Sequence, residues 1–304
     1  MKLALFATAC VVAAAALPLS TRASGTANNW TYKAGDKKLV GPPKWGKAYP
    51  TCAGKKQSPI DITDVTDAET TLPLEFGGSC SEYNVTQHYD AFKAEVQGGS
   101  CAVQYANTSF SFAQVHFHAP SEHTISGEHF DAEAHFVHLS KDGQAVVVGV
   151  FLQRSDEERD DDDISDDSKE ERASGDDSSE DSEEERASAY GAGQSASAAE
   201  PFFAQFLEAL AKVKEDASVP ATLGSFHAGV QELFSEGNVF NYPGGLTTPP
   251  CSEIVTWFVL ETPITISHKE YESITESLKR IEAAKDGENA RPTQPLNGRE
   301  VLSY

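Results

Sequence analysis

Positive charge is scarce in these 304 residues: 24 lysines and arginines stand against 47 aspartates and glutamates, for a formal net charge of −23. Such an excess of acid argues against a nucleic-acid partner. The five cysteines contain no C-x-x-C pair, which argues against a cysteine-held zinc. After residue 20 no apolar run approaches the roughly 20 residues that a membrane-spanning helix needs, so no membrane anchor is expected. Helical periodicity is also sparse.

The acid is concentrated in one place. Residues 156–186 hold eighteen Asp or Glu against four Lys or Arg, a net of −14, which leaves −23 − (−14) = −9 for the rest. With AYGAGQSASAAE after it, the segment at about 155–200 lacks the apolar side chains to offset the entropy of ordering, and predicts a disordered acidic insertion. Its carboxylates raise weak calcium or mineral binding as a further reading, beside that of a solvated insertion.

The opening residues, MKLALFATACVVAAAALPLS, follow the layout of a secretory signal peptide, with an A-x-A-like cleavage site before Ser24. A leader over 1–23 predicts a secreted, extracellular protein. Removing Cys10 with it leaves Cys52, Cys80, Cys101 and Cys251, an even number that favours disulfides and permits three pairings. Asn29, Asn84 and Asn107 head N-x-S/T sequons, candidate glycosylation sites in an exported chain.

Between these features run short alternating segments broken by Gly, Pro, Asn and Ser. AFKAEVQ (91–97), CAVQYAN (101–107), SFSFAQVHFHA (109–119), HFDAEAHFVHLS (129–140), AVVVGVFLQ (145–153) and IVTWFVLETPITI (254–266) read as strands. PFFAQFLEALAKVKE (201–215) and KEYESITESLKRIEAA (269–284) read as helices. Without leader and insertion about 235 residues remain, enough for one mostly β domain built around a large sheet.

The stretch QVHFHAPSEH (114–123) concentrates histidine. Residues two apart in a strand share a face, so Gln114, His116 and His118 point one way and Val115 and Phe117 the other. After a turn at SGE (126–128) the chain returns through Glu133, His135 and Val137 on one face, with His138 opposite. If the two faces match, His116, His118 and His135 converge, and three imidazoles leave a fourth position open, as a catalytic zinc requires. Gln114 and Glu133 stand where they can accept the other ring N–H of a ligand. H-x-H alone is a weak signal, and the spacing leaves both a metal site and ordinary strand histidines open. His123 and His138 read as structural hydrogen-bonders. His88, His129, His227 and His268 have no ligand pattern around them.

Taken together, KKQSPIDI (55–62), QVHFHAPSEH, EAHFVH (133–138), VVVGVFL (146–152), NYPGGLTTPPCSEIVTWFV (241–259) and RPTQPLN (291–297) resemble the α-class carbonic anhydrases, block by block and in order. The resemblance covers nearly all the chain outside leader and insertion. It implies a central, mostly antiparallel, twisted sheet with short peripheral helices, and zinc-dependent reversible hydration of carbon dioxide to bicarbonate by zinc-bound hydroxide. His116, His118 and His135 match the zinc ligands. Gln114, Glu133 and the main-chain carbonyl of Asn289 match the groups that hold them. Thr247 matches the threonine that orients the nucleophile and donates to a buried glutamate, here Glu122. Val137, Val147, Leu246 and Trp257 match the apolar wall for carbon dioxide.

At the position of the histidine that exports the proton in fast family members stands Asp90, and His88 lies two residues earlier. An ordinary Asp near pKa 3.9 is a poor proton carrier at neutral pH. Cys52 and Cys251 match the disulfide of secreted members, which leaves Cys80 with Cys101. Two rival classes stand beside the enzyme: a silent binding or storage relative, and an acidic matrix protein. Silent relatives usually lose a ligand, and all three histidines are present.

Overall fold

The alternating segments assemble, in this computed structural model, into one large sheet with helices on one side. Residues 29–155, 200–213, 218–224, 230–234, 237–284 and 286–304 are described. The predicted leader at 1–23, the predicted acidic insertion beyond Ser155 and His227 lie outside the described residues.

The strands run β1 (Asp61–Ile62), β2 (Thr66–Asp67), β3 (Glu75–Gly77), β4 (Glu82–Gln87), β5 (Phe92–Gly98), β6 (Ala102–Tyr105) and β7 (Thr108–His118). They continue through β8 (Thr124–Ile125), β9 (Ala132–Leu139), β10 (Ala145–Arg154), β11 (Ser218–Thr222), β12 (Val239–Gly244), β13 (Val255–Ile266) and β14 (Leu302–Ser303). The sheet order is β11-β4-β5-β7-β9-β10-β13-β12-β14-β2, with β6 beside β7 and β3 beside β6. Most neighbours are antiparallel, as expected, but β10 and β13 pair in parallel, as do β14 and β2, so the sheet is mixed.

Among the described residues, α1 (Trp45–Ala48), α2 (Glu200–Lys212) and α3 (His268–Leu278) are short helices. Ser267 caps α3 in a capping box with Glu270. The sequence predicts this helix to run on to 284, yet it ends at Leu278. Beyond it the Ala283 carbonyl accepts the Tyr32 N–H and the Thr31 hydroxyl. The Ala283 N–H, which a helix reaching 284 would give to the Lys279 carbonyl, donates instead to the Tyr89 carbonyl.

Each central strand is buried on both faces. On the helix side Phe117, Phe136 and Val148 pack with Phe202 and Phe206 of α2. On the other side Val137, Val147, Tyr242 and Trp257 form a second cluster. At the end of β10, Asp131 accepts from the backbone and guanidinium of Arg154, whose charge lies 4.4 Å over the Tyr271 ring. His268 Nε2 lies 3.2 Å from the Ser155 carbonyl. This clamp fixes the chain where the insertion begins.

Candidate metal centre

β7 and β9 pair antiparallel with His116 opposite His135 and His118 opposite Glu133. Directly opposed residues present side chains to the same face, so the histidines meet. Their ring centroids stand 5.0, 5.4 and 4.6 Å apart for 116–118, 116–135 and 118–135. One nitrogen of each lies within 4.8 Å of the others.

The second nitrogen of each ring is already engaged. His116 Nδ1 lies 2.9 Å from Gln114 Oε1, His118 Nδ1 2.9 Å from the Asn289 carbonyl, and His135 Nε2 2.9 Å from Glu133 Oε1. Each acceptor fixes a tautomer, leaving Nε2 of His116, Nε2 of His118 and Nδ1 of His135 toward the centre. His118 Nε2 is buried without a hydrogen bond. Burial, then the neighbouring imidazoles, pushes His116 well below the usual histidine range. Burial likewise lowers His118. For His135 burial also favours the neutral ring, but the Glu133 carboxylate outweighs it and raises its basicity. Three pre-oriented imidazoles, each neutral when it ligates, fit a tetrahedral zinc with one open position.

Glu133 is a hub. It accepts from the backbone N–H of Glu122 and of His123 at 2.8 and 2.9 Å, and from the rings of His123 and His135 at 2.7 and 2.9 Å. Burial opposes its charge, but the two imidazoles and their hydrogen bonds hold it well below the carboxylate range. His123, expected as a structural hydrogen-bonder, lies 2.7 Å from the Tyr242 hydroxyl through its other nitrogen, and Tyr242 donates on to Ser58. His138 points to the helix side, with its ring 5.0 Å from Phe112.

The Glu122–Thr247 pair differs from expectation. Both are buried, but no hydrogen bond joins them among the described residues. Glu122 Oε1 accepts the Arg291 N–H at 2.8 Å. Its Oε2 stands 3.4 Å from His118 Nε2 and 3.8 Å from His135 Nδ1. Those two nitrogens carry no proton in these tautomers, so the contacts are close approaches and Glu122 Oε2 has no hydrogen-bond partner among the described residues. Val137, Val147 and Trp257 share the apolar cluster with Leu246 packed against it, and the His135 ring lies 4.8 Å from Trp257.

Opposite the apolar wall the site is charged. Lys93 pairs across strands with His116, and Glu95 with Gln114. Lys93 Nζ lies 3.3 Å from Asp90, and His88 Nε2 3.3 Å from Glu95 Oε1. Reading by residue type missed Lys93, Glu95, Ser58, Tyr242 and Arg291, although 93 and 95 alternate in AFKAEVQ. Arg291 is buried, donates to the Ser58 and Cys52 carbonyls, and is lowered to about 10 by burial, with Glu122 opposing.

Both disulfides form. Cys52–Cys251 joins the N-terminal part to the loop carrying Thr247, and Cys80–Cys101 brackets β4 and β5. Of the sequon residues, Asn107 is exposed in the turn between β6 and β7, Asn29 is exposed and accepts from Tyr49, and Asn84 lies on β4.

Comparison with known proteins adds independent findings. The family described as eukaryotic-type carbonic anhydrase matches residues 40–167 and 178–304. A carbonic anhydrase of Nostoc sp. is 30% identical over 282 residues, covering 90% of this chain and 85% of its own. One from Pectobacterium carotovorum is 28% identical over 298 residues, covering 94% and 97%. Among solved structures, Photobacterium profundum α-carbonic anhydrase superposes with a TM-score of 0.62 at 28% identity, over 90% of this chain and 99% of that one. The Thermovibrio ammonificans α-carbonic anhydrase, solved with the inhibitor sulfanilamide, gives 0.63 at 28%, over 91% and 100%.

Proposed function

The chain belongs to the eukaryotic-type (α) carbonic anhydrases and is a zinc enzyme that hydrates carbon dioxide reversibly to bicarbonate; from that premise we propose how its own residues divide the work. His116, His118 and His135 hold the metal. Bound zinc lowers the pKa of water to about 7 and so supplies a nucleophile at neutral pH. Gln114, Asn289 and Glu133 keep the three rings in the tautomers that ligation needs. Glu122 and Thr247 orient the nucleophile, with Glu122 held in place by the Arg291 N–H. Val137, Val147, Leu246 and Trp257 offer carbon dioxide an apolar wall, suited to a linear, uncharged substrate that asks for little hydrogen bonding.

Asp90 is not the group that carries the proton away. Burial works against its charge, but Lys93, its own backbone and His88 hold it below the usual carboxylate range. It therefore stays ionised at neutral pH and cannot cycle. We also propose export: the leader pattern and two disulfides both favour an oxidising compartment.

The observation that carries the catalytic assignment is the three-ring cluster with every outward nitrogen already bound to an acceptor. The test is stopped-flow carbon dioxide hydration on the exported protein, whose N-terminus is expected at Ser24, beside His118→Ala, with zinc assayed in both. One zinc and activity in the parent, both lost in the variant, is the expected result. A zinc-loaded, inactive parent would turn attention to Glu122 and Thr247. A zinc-free folded parent would sink the assignment.

A further inference from the structure

The proton left when water adds to carbon dioxide must reach buffer, and the turn between β4 and β5 contains a group suited to taking it. His88 and Asp90 lie in this turn, closed by the His88 N–H donating to the Ala91 carbonyl. Lys93 and Glu95 follow on β5, and their pairing with His116 and Gln114 places both on the metal face of the sheet. His88 reaches the same face: its Nε2 lies 3.3 Å from Glu95 Oε1, and its side chain is 35% exposed. One imidazole thus adjoins the metal face and solvent at once.

The charged groups around it have divided roles. Lys93 Nζ is 3.3 Å from both Asp90 oxygens, so these two charges largely cancel. Glu95 is left to His88, which holds its carboxylate below the usual range against burial. His116, across on β7, is a further titratable neighbour.

We propose that His88, backed by the Glu95 carboxylate, is the proton exit of this enzyme, in place of Asp90. The proposal rests on the carbonic anhydrase reading. A ring nitrogen of His88 takes the proton through intervening water, forming an N–H as a water O–H breaks. Glu95 stabilises the resulting imidazolium, and the ring then gives the proton to buffer. Imidazole suits the task because histidine exchanges its proton between pH 5 and 8. Glu95 is a positioning residue, acting through His88.

The test is hydration by the zinc-loaded protein in weak and strong buffer, for the parent, His88→Ala, His88→Gln and Glu95→Gln, with zinc content and melting temperature followed in each. Removing His88 is expected to lower kcat in weak buffer by about 100-fold, the low end of what positioned proton transfer contributes. The ratio kcat/KM should hold, because the hydration step does not use this proton route. Added imidazole should restore kcat in both His88 variants, and Glu95→Gln should show a smaller loss of the same kind. Parental kcat in weak buffer for both His88 variants would overturn the proposal. So would a loss found instead in Asp90→Asn. A parent with no hydration activity at all would overturn the underlying reading, and is distinguishable because kcat/KM is then absent throughout.

Discussion

Four donors converge on Glu133, and their number sets what this position tolerates. Two are backbone N–H groups and two are imidazoles, one of them a metal ligand. A carboxylate has lone pairs for all four; a carboxamide must turn its NH2 against at least one donor. Glu133→Gln is therefore expected to weaken zinc binding by about 10- to 100-fold, the usual consequence of losing a ligand's partner. Chelator competition measures it, and unchanged affinity would show that His135 is oriented by something else. The meeting of the three histidines was legible in the sequence, because His116 and His118 share one strand face and His135 shares one with Glu133. The hub was only half legible: Glu133 stood at the right parity for His135, but its hold on His123 crosses ten residues and depends on how the SEH turn folds back. Lys93 and Glu95 were hidden for a similar reason, since their approach to His116 and Gln114 is a matter of register between strands.

Among the elements, β7 shows how parity can mislead. Phe110 and Phe112 have the same parity as His116, yet they pack on the helix side with Val115 and Phe117. A bulge between Phe112 and Gln114 inserts one residue and exchanges the faces. The alternation in QVHFH was correct locally, but nothing in SFSFAQ announced the bulge. β10 gives the clearest test at this scale. Gly149 lies opposite His135, and a Cβ there would meet Glu133 Oε1 at 2.9 Å and Val259 Cγ2 at 3.4 Å. That carboxylate oxygen is pinned by its hydrogen bonds and cannot swing aside. Gly149→Ala is expected to lower zinc affinity as well as melting temperature, although residue 149 touches no metal. A variant with parental zinc affinity would mean that the strand shifts instead. From sequence, nothing in AVVVGVFLQ marked the glycine as a neighbour of the metal site.

Across the whole molecule, the site is assembled from distant parts of the chain. The three ligands come from 116 to 135, whereas Thr247, Trp257 and Asn289 come from beyond the insertion. Cys52–Cys251 closes a separation of 199 residues between these parts and ends on the loop that carries Thr247. Replacing both cysteines by serine is expected to cost about 2–5 kcal/mol of stability, read from denaturant unfolding, and to lower turnover more than zinc content. Stability equal to the parent's would show that the Arg291 contacts to the Ser58 and Cys52 carbonyls already hold that junction. The mostly β class and the large sheet were legible from alternation and short segments. The parallel pairing of β10 with β13 was not, because the intervening chain gives no local sign of where it returns.

The clamp at the end of β10 anchors the chain at the last described residue before the acidic segment. Asp131, Arg154, Tyr271 and His268 tie down its root, and β10 is held in register against β13 as far as Arg154 and Ile266. Whatever the segment beyond Ser155 does, its pull ends at these contacts rather than at the metal. Lengthening such a connection is also cheap, since each doubling adds only about 0.6 kcal/mol of closure entropy. The strand that meets the metal site at Gly149 is thus anchored before the acidic stretch begins.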